Sequence, residues 1–323
     1  MEIKNVTVAG GGVLGSQIAF QTAYKGFPVK VWLRSEGSID RARPKFEHLA
    51  EQYQDMIKEM SENPALAYCR GLSHTRDLDS YQIKELLGAA KGALSRITFT
   101  TSYEEAAQDA DLIIEAISET PQDKIDFYTA LRDYMPEKTI LATNSSTMVP
   151  SAFAEYTGRP EKYLALHFAN EIWKNNTAEV MGHPGTDEQV FRDVVEFAEA
   201  IGMIPLELKK EQPGYILNSL LVPFLNAANG LLANGIADVP TIDRTWTLAT
   251  GAPIGPFMIL DVVGLNTAYN IVAMDPRAKD PESTQGKIVA MLKDYIDQGR
   301  TGVAAGQGFY CYGRKNEGPH LCE

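Results

Sequence analysis

Three glycines, Gly10, Gly12 and Gly15, stand in the order G-x-G-x-x-G between the apolar run Val6-Thr7-Val8-Ala9 and a stretch with helical spacing at Ile18, Ala19, Thr22 and Ala23. The chemistry this permits is anion binding. Gly10 allows a tight turn off a strand, Gly12 lets a pyrophosphate approach the backbone, and Gly15 lets a new helix pack on that strand. Val13 and Leu14 fill the variable places, so the phosphates would meet unpaired N–H groups at the positive end of a helix. Two further polar groups fall where strands should end. One is Asn144-Ser145-Ser146-Thr147, four small polar residues after Thr139–Thr143. The other is His167, near the end of Tyr163–Phe168.

The elements that must position these groups follow from the pattern. Val29-Lys30-Val31-Trp32-Leu33 returns at βαβ distance and completes a dinucleotide-binding unit. Residues 44–95 read as helical and surface-lying, with Phe46 to Met60 an amphipathic helix ended by Asn63-Pro64. A further strand is expected over Ile97–Ser102. Asp111–Ile117 is a buried parallel strand whose polar end, Ala116 included, lies where open α/β sheets present ligands. Thr120-Pro121-Gln122-Asp123 starts a helix, and Ala178–Met181 is extended. A helix over 187–201 leads to the strand Ile204–Leu208. Composition changes at Lys209-Lys210-Glu211-Gln212-Pro213-Gly214, after which the pattern is helical. The expected fold is α/β: a Rossmann-type doubly wound sheet over 1–209, then an all-α domain over 210–323.

The cofactor's phosphate state turns on the end of the second strand. An acid about 20 residues beyond the glycines would bond a ribose 2′-OH; here Arg34 stands 19 residues after Gly15, followed by Ser35. A guanidinium suits a 2′-phosphate as a fork of donors. The sequence therefore favours NADP over NAD, unless Glu36 or Asp40 reaches back to the ribose.

Composition excludes other classes. The 323 residues carry 42 acids against 30 Lys and Arg, a net charge of −12, which argues against nucleic acid as a partner. No apolar run reaches the roughly 18 residues of a membrane span, and no secretory signal is seen. Cys69, Cys311 and Cys322 are scattered and form no C-x-x-C, so neither a disulfide framework nor a metal site is expected. Reduced thiols in a cytoplasmic protein are the expectation.

Taken together, the chain resembles the L-3-hydroxyacyl-CoA dehydrogenase family over nearly its whole length. The resemblance rests on Gly10 to Gly15, Asp111 to Ile117, Ala142 to Ser146, Leu166-His167-Phe168-Ala169-Asn170, Ala178-Glu179-Val180, Pro213 to Asn218, Gly255-Pro256-Phe257 and Gly308-Phe309-Tyr310. It implies hydride transfer between NAD or NADP and the C3 hydroxyl or keto group of a 3-hydroxyacyl thioester, by a homodimer. His167 matches the family's catalytic histidine, and the chemistry agrees: a base of near-neutral pKa must take the hydroxyl proton as hydride leaves. Glu179 matches its partner carboxylate, Ser146 the serine that bonds the substrate oxygen, and Asn218 an asparagine from the second domain. Glu119, Lys124, Asn144 and Asn170 match positions around the cofactor and the histidine.

Three departures accompany the resemblance. Arg34 replaces an acid. The family's His-Phe-Phe-Asn-Pro reads His167-Phe168-Ala169-Asn170-Glu171, which predicts a wider, more acidic cleft. The helix after the second strand carries Glu47, Glu51, Asp55 and Glu59 against Lys45 and Lys58, poor company for a phosphorylated coenzyme arm. The alternative substrate is thus a free 3-hydroxy acid, such as a sugar acid, with Lys174 or Arg244 as candidate partners for its carboxylate. A non-catalytic dinucleotide-binding relative is the alternative of another class; the intact Ser146, His167, Glu179 and Asn218 set argues against it.

Overall fold

Short apolar runs bounded by glycines and helix caps become the strands of one sheet. The computed structural model describes residues 1–313 and 320–321. In chain order it forms β1 (Val6–Ala9), α1 (Val13–Tyr24), β2 (Val29–Trp32), α2 (Glu36–Glu62), α3 (Pro64–Ala67), α4 (Ser80–Ala93), β3 (Ile97–Thr100) and α5 (Tyr103–Ala107). Then follow β4 (Leu112–Glu115), α6 (Pro121–Leu131), β5 (Ile140–Thr143), β6 (Tyr163–Phe168), β7 (Thr177–Met181), α7 (Glu188–Ala200) and β8 (Ile204–Leu208). The strand order is β3-β2-β1-β4-β5-β6-β7-β8. All neighbours are parallel except β6 and β7, which run antiparallel.

Side chains alternate across the strands and feed two cores. Val6, Val8, Leu112, Ile114, Ile140 and Ala142 pack against α1, α2, α4 and α7 on one face. Ala9, Ile113 and Leu141 pack with Phe127, Tyr128 and Leu131 of α6 on the other. Burial on both faces is why these strands read as continuous apolar runs.

Helix α2 is longer than the spacing predicts. It starts at Glu36, with Ser35 extended at its N-cap and Pro44 inside it. Ile39 and Ala42 continue the buried stripe of Phe46, Leu49, Tyr53, Ile57 and Met60 toward the N-terminus. Gly37, Ser38 and Pro44 hide that first turn in the sequence because all three are weak helix formers; Pro44 is tolerated on the exposed face. At α6, Thr120 is the N-cap but makes no side-chain hydrogen bond to the helix, while Pro121 takes the first helical position.

The chain divides into two compact units, Met1–Ile216 and Leu217–Glu323. Residues 210–216 are tied to the sheet unit: Gln212 N–H meets Met181 Sδ at 3.2 Å and Glu211 accepts from Ser151 N–H at 2.7 Å.

The second unit holds α8 (Leu217–Ala233), α9 (Val239–Thr250), α10 (Pro256–Val263), α11 (Leu265–Ala273) and α12 (Thr284–Asp297), with an antiparallel pair β9 (Tyr310–Cys311) and β10 (His320–Leu321). Two buried carboxylates organise it. Asp243 accepts from the N–H groups of Phe257 and Met258 and from Tyr310 Oη, at 2.9, 3.2 and 3.1 Å. Asp261 accepts from Phe309 N–H, Tyr310 N–H and Tyr312 Oη, at 2.8, 2.9 and 2.8 Å. A Cβ on Gly255 would stand 2.2 Å from Asp243 Cγ, and one on Gly308 would stand 2.0 Å from Asp261 Oδ1. The Gly-Pro-Phe and Gly-Phe-Tyr motifs therefore exist to wrap these two acids.

The thiol expectation needs a correction. Cys69 is free and buried, but Cys311 is disulfide-bonded; Cys322 lies outside the described residues. In the β9–β10 pair, His320 stands opposite Cys311.

Candidate active site

The glycine turn is built as its spacing requires. Gly10 has φ +122°, and a Cβ there would lie 2.3 Å from the Ala116 carbonyl oxygen. A Cβ on Gly15 would lie 2.4 Å from the Gly10 carbonyl oxygen, whereas one on Gly12 would meet nothing within 4 Å. Two glycines are thus demanded by packing, while at Gly12 the space in front of the backbone is open. Helix α1 begins there with Gly12 as N-cap and no side-chain cap, and Val13 is 66% exposed. This cradle fits a dinucleotide's phosphates. Arg34 and Ser35 are exposed between β2 and α2. Close by, Ser35 Oγ and Ser38 Oγ are 3.0 Å apart, and Arg41 donates to Ser38 Oγ at 2.9 Å.

On the far side of β4, antiparallel pairing puts His167 of β6 directly opposite Glu179 of β7. Cross-strand partners share a face, so the side chains meet: His167 Nδ1 lies 3.0 Å from Glu179 Oε2, with both residues buried. Glu179 Oε1 accepts from Ile216 N–H at 2.8 Å. The pair resembles the imidazole–carboxylate arrangement that fixes a histidine's tautomer.

Ser146 sits half-buried in the loop after β5, whose shape is set by Glu119. One oxygen of Glu119 accepts from Ser145 Oγ (2.6 Å), Ser146 N–H (2.9 Å), Thr147 N–H (3.1 Å) and Thr147 Oγ1 (3.0 Å). Burial raises the Glu119 pKa, but the Ser145 hydroxyl, the Lys124 charge and the Thr147 donors outweigh it and hold the carboxyl below its ordinary range. Asn144 Oδ1 accepts from Phe168 N–H at 3.1 Å, joining this loop to the end of β6. Asn170 is exposed, two residues further on. Glu171, where the family resemblance expects proline, has φ +56° and donates its N–H to Gln17 Oε1 at 2.9 Å. Proline can do neither. Asn218 is the second residue of α8, in the helical unit.

A buried network was not apparent from the sequence. Lys124, 1% exposed, reaches Glu115 at 2.7 Å and Glu119 at 3.3 Å. Glu115 also accepts from Ile117 N–H, Tyr128 Oη and Thr143 Oγ1, at 2.9, 2.6 and 2.8 Å. Burial, then the Glu115 charge, pushes the Tyr128 phenol well above its ordinary pKa. A glutamate ending the apolar strand Leu112-Ile113-Ile114 was the available signal, since a buried carboxylate needs partners.

With this geometry in place, comparison with known proteins decides the family. Residues 5–212 match the NAD binding domain of 3-hydroxyacyl-CoA dehydrogenase, and residues 214–312 match the C-terminal domain of the same enzyme. The chain belongs to the 3-hydroxyacyl-CoA dehydrogenase family. It is an oxidoreductase of that family with a nicotinamide dinucleotide cofactor. The mitochondrial hydroxyacyl-coenzyme A dehydrogenase of Rattus norvegicus is 31% identical, over 96% of this chain and 91% of its own length. A probable 3-hydroxybutyryl-CoA dehydrogenase of Bacillus subtilis is 30% identical, over 98% and 99%. Among solved structures, a diketoreductase described for dual catalysis of dicarbonyl compounds is 50% identical, with a TM-score of 0.83, over 97% of this chain and all of its own. Within the described residues of this family member, no single helix is long and apolar enough to cross a membrane, and no cluster of His, Cys, Asp and Glu could hold a metal ion.

Proposed function

We propose that the protein interconverts a 3-hydroxyacyl thioester and its 3-keto form, with His167 as the acid–base group. The observation that carries this reading is the buried His167–Glu179 pair, 3.0 Å apart on opposed strands. A bound nicotinamide dinucleotide supplies or accepts the hydride. In the oxidising direction His167 takes the C3 hydroxyl proton on Nε2, and its Nδ1–H stays on Glu179, which stabilises the imidazolium. In the reducing direction the same proton goes back to the C3 oxygen. Ser146 donates a hydrogen bond to the substrate oxygen, and Asn218 contributes from the helical unit, as the family resemblance implies.

Gly10, Gly12, Val13, Leu14 and Gly15 hold the pyrophosphate, with Ala116, Glu119, Lys124, Asn144 and Asn170 along the rest of the dinucleotide. Arg34 and Ser35 take a ribose 2′-phosphate, which makes NADP the preferred form; the exposed guanidinium at the end of β2 supports this. A cytoplasmic homodimer completes the reading, and light scattering tests the dimer.

A second substrate reading has its own support. On the outer face of α2, Glu47, Glu51, Asp55 and Glu59 are all exposed. Lys58 is paired with Asp55 at 3.1 Å, and Lys45 donates to the Gly11 carbonyl at 2.9 Å. Together with the 50% identity to a diketoreductase, this favours a substrate without the coenzyme arm: a free 3-hydroxy acid or a dicarbonyl compound.

The test is reduction of acetoacetyl-CoA and of a free β-dicarbonyl ester, each with NADPH and NADH. Saturable turnover of the thioester, faster with NADPH, supports the first reading. Turnover of the ester alone moves the substrate to the second. His167→Gln should abolish turnover and spare dinucleotide binding; full activity in that variant would sink the proton-transfer assignment.

A further inference from the structure

The segment Gly214-Tyr215-Ile216 touches both members of the His167–Glu179 pair. Gly214 and Tyr215 are successive left-handed residues, with φ +78° and +55°. Glycine takes that conformation freely, but a bulky aromatic residue rarely does. The turn is closed by Tyr215 N–H donating to the Gln212 carbonyl at 2.9 Å. Its two consequences both fall on the pair. The Tyr215 ring lies nearly parallel on the imidazole, with centroids 4.4 Å apart and planes 17° apart. The next peptide directs Ile216 N–H to Glu179 Oε1 at 2.8 Å. Tyr215 is fully buried and packs with Ala165 and Met181, with Val149 and Leu208 against them.

We infer that Tyr215 is a positioning residue for His167, its ring fixing the plane of the imidazole and its electron-rich face favouring the imidazolium that forms when the proton is taken. This rests on the proton-transfer role proposed above. A parallel aromatic face attracts a cation through the ring quadrupole, and more so in a desolvated site. A freely turning imidazole would point Nε2 at the substrate only part of the time. The phenol stays neutral: burial, then the charges of Glu119, Glu179 and Glu115, raises its pKa beyond any working pH. Tyr215 thus presents a π-face and no charge. Backbone strain at a site of this kind persists where the surroundings enforce it, and such strain gathers at functional positions.

The discriminating variants stay apolar and change the face. Tyr215→Leu and Tyr215→Met remove the aromatic ring and leave space of about one water, roughly 30 Å³; Tyr215→Phe keeps the ring and nearly all the volume, so it separates the π-face from the space. The primary measurement is the titration of His167 followed by nitrogen-15 NMR on the full chain without substrate, assigned by loss of its signal in His167→Gln. Glu179 faces His167 in every variant, so differences report the ring. In the Leu and Met variants the titration should move about half a pH unit lower, the size expected for one lost cation–π contact. Turnover should fall about tenfold with dinucleotide affinity within about twofold, and the Phe variant should recover both. An unmoved titration in the Leu or Met variant overturns the inference, as does a Phe variant as impaired as Leu; a folding failure in one leaves the other to decide. Because the titration needs no turnover, the stacking role is judged even if the thioester and dicarbonyl assays all fail, and that failure would count against the proposed function alone.

Discussion

Buried carboxylates are placed in both units, yet they are satisfied in different ways. In the sheet unit each has a basic partner: Glu115 has Lys124 at 2.7 Å, Asp111 has Lys138 at 2.6 Å, and Glu179 has His167 at 3.0 Å. In the helical unit Asp243 and Asp261 are held by backbone N–H groups and tyrosine hydroxyls. The first arrangement adds a basic side chain to the backbone N–H donors each acid already has. The second uses the carboxylate as a clasp for loop backbone. Within the sheet unit there is a further contrast. Glu115 accepts four hydrogen bonds and is saturated by a lysine, so it stays fixed. Glu179 is paired with the one side chain whose ordinary pKa lies near neutrality. Glu115 and Lys124 are locked by their hydrogen bonds; Glu179 holds the proposed acid–base group.

Breaking the two sheet-unit pairs should separate those roles. Glu179→Gln should lower kcat by about a thousandfold, through a mis-set histidine tautomer, with urea midpoints little changed; steady-state kinetics beside chemical denaturation checks both. Lys124→Met should do the reverse in rank. Leaving Glu115 buried without its cation should cost about 3–5 kcal/mol of unfolding free energy, measured by urea titration. Asp243→Asn, which keeps shape but loses an acceptor, should cost about 1–2 kcal/mol, read as faster hydrogen exchange confined to peptides of the helical unit.

The smallest effect is a difference in pH response. Burial raises the pKa values of Asp243 and Asp261 despite their hydrogen bonds. Burial also works against Asp111, but the Lys138 bond and the N–H groups of Asn5 and Lys4 outweigh it and lower its pKa. A raised folded pKa gives stability that is complete below the ordinary carboxylate value and is lost as pH rises through the raised one. A lowered pKa gives stability that is lost as pH falls through the depressed value. Mild acidification should therefore slow exchange in the helical unit first, and strong acidification should speed it around Asp111. Exchange mass spectrometry across a pH series would test this, and parallel behaviour in the two units would refute it.

Much of the site was legible locally. Gly10, Gly12 and Gly15 announce a strand–turn–helix because Gly10 and Gly15 answer separate steric demands within a few residues and Gly12 leaves the backbone open between them. The strand Tyr163–Phe168 and the extended run before Met181 could be read from apolar runs. Ile39 and Ala42 were missed as part of α2, because weak helix formers surround them. The Glu115 network was missed because its side-chain partners come from α6 and β5, at sequence distances from which no periodicity can be read.

The sequence by itself determined the succession of the sheet strands, the glycine turn and the identity of the acid–base candidates, since these depend on local sterics and on residue chemistry. Only the tertiary structure decided that His167 faces Glu179, through the single antiparallel register in an otherwise parallel sheet. It likewise decided that Tyr215 covers the imidazole, through a left-handed turn forty-eight positions along the chain. Strand register and long-range stacking are set by the packing of whole elements, which no local window of sequence contains.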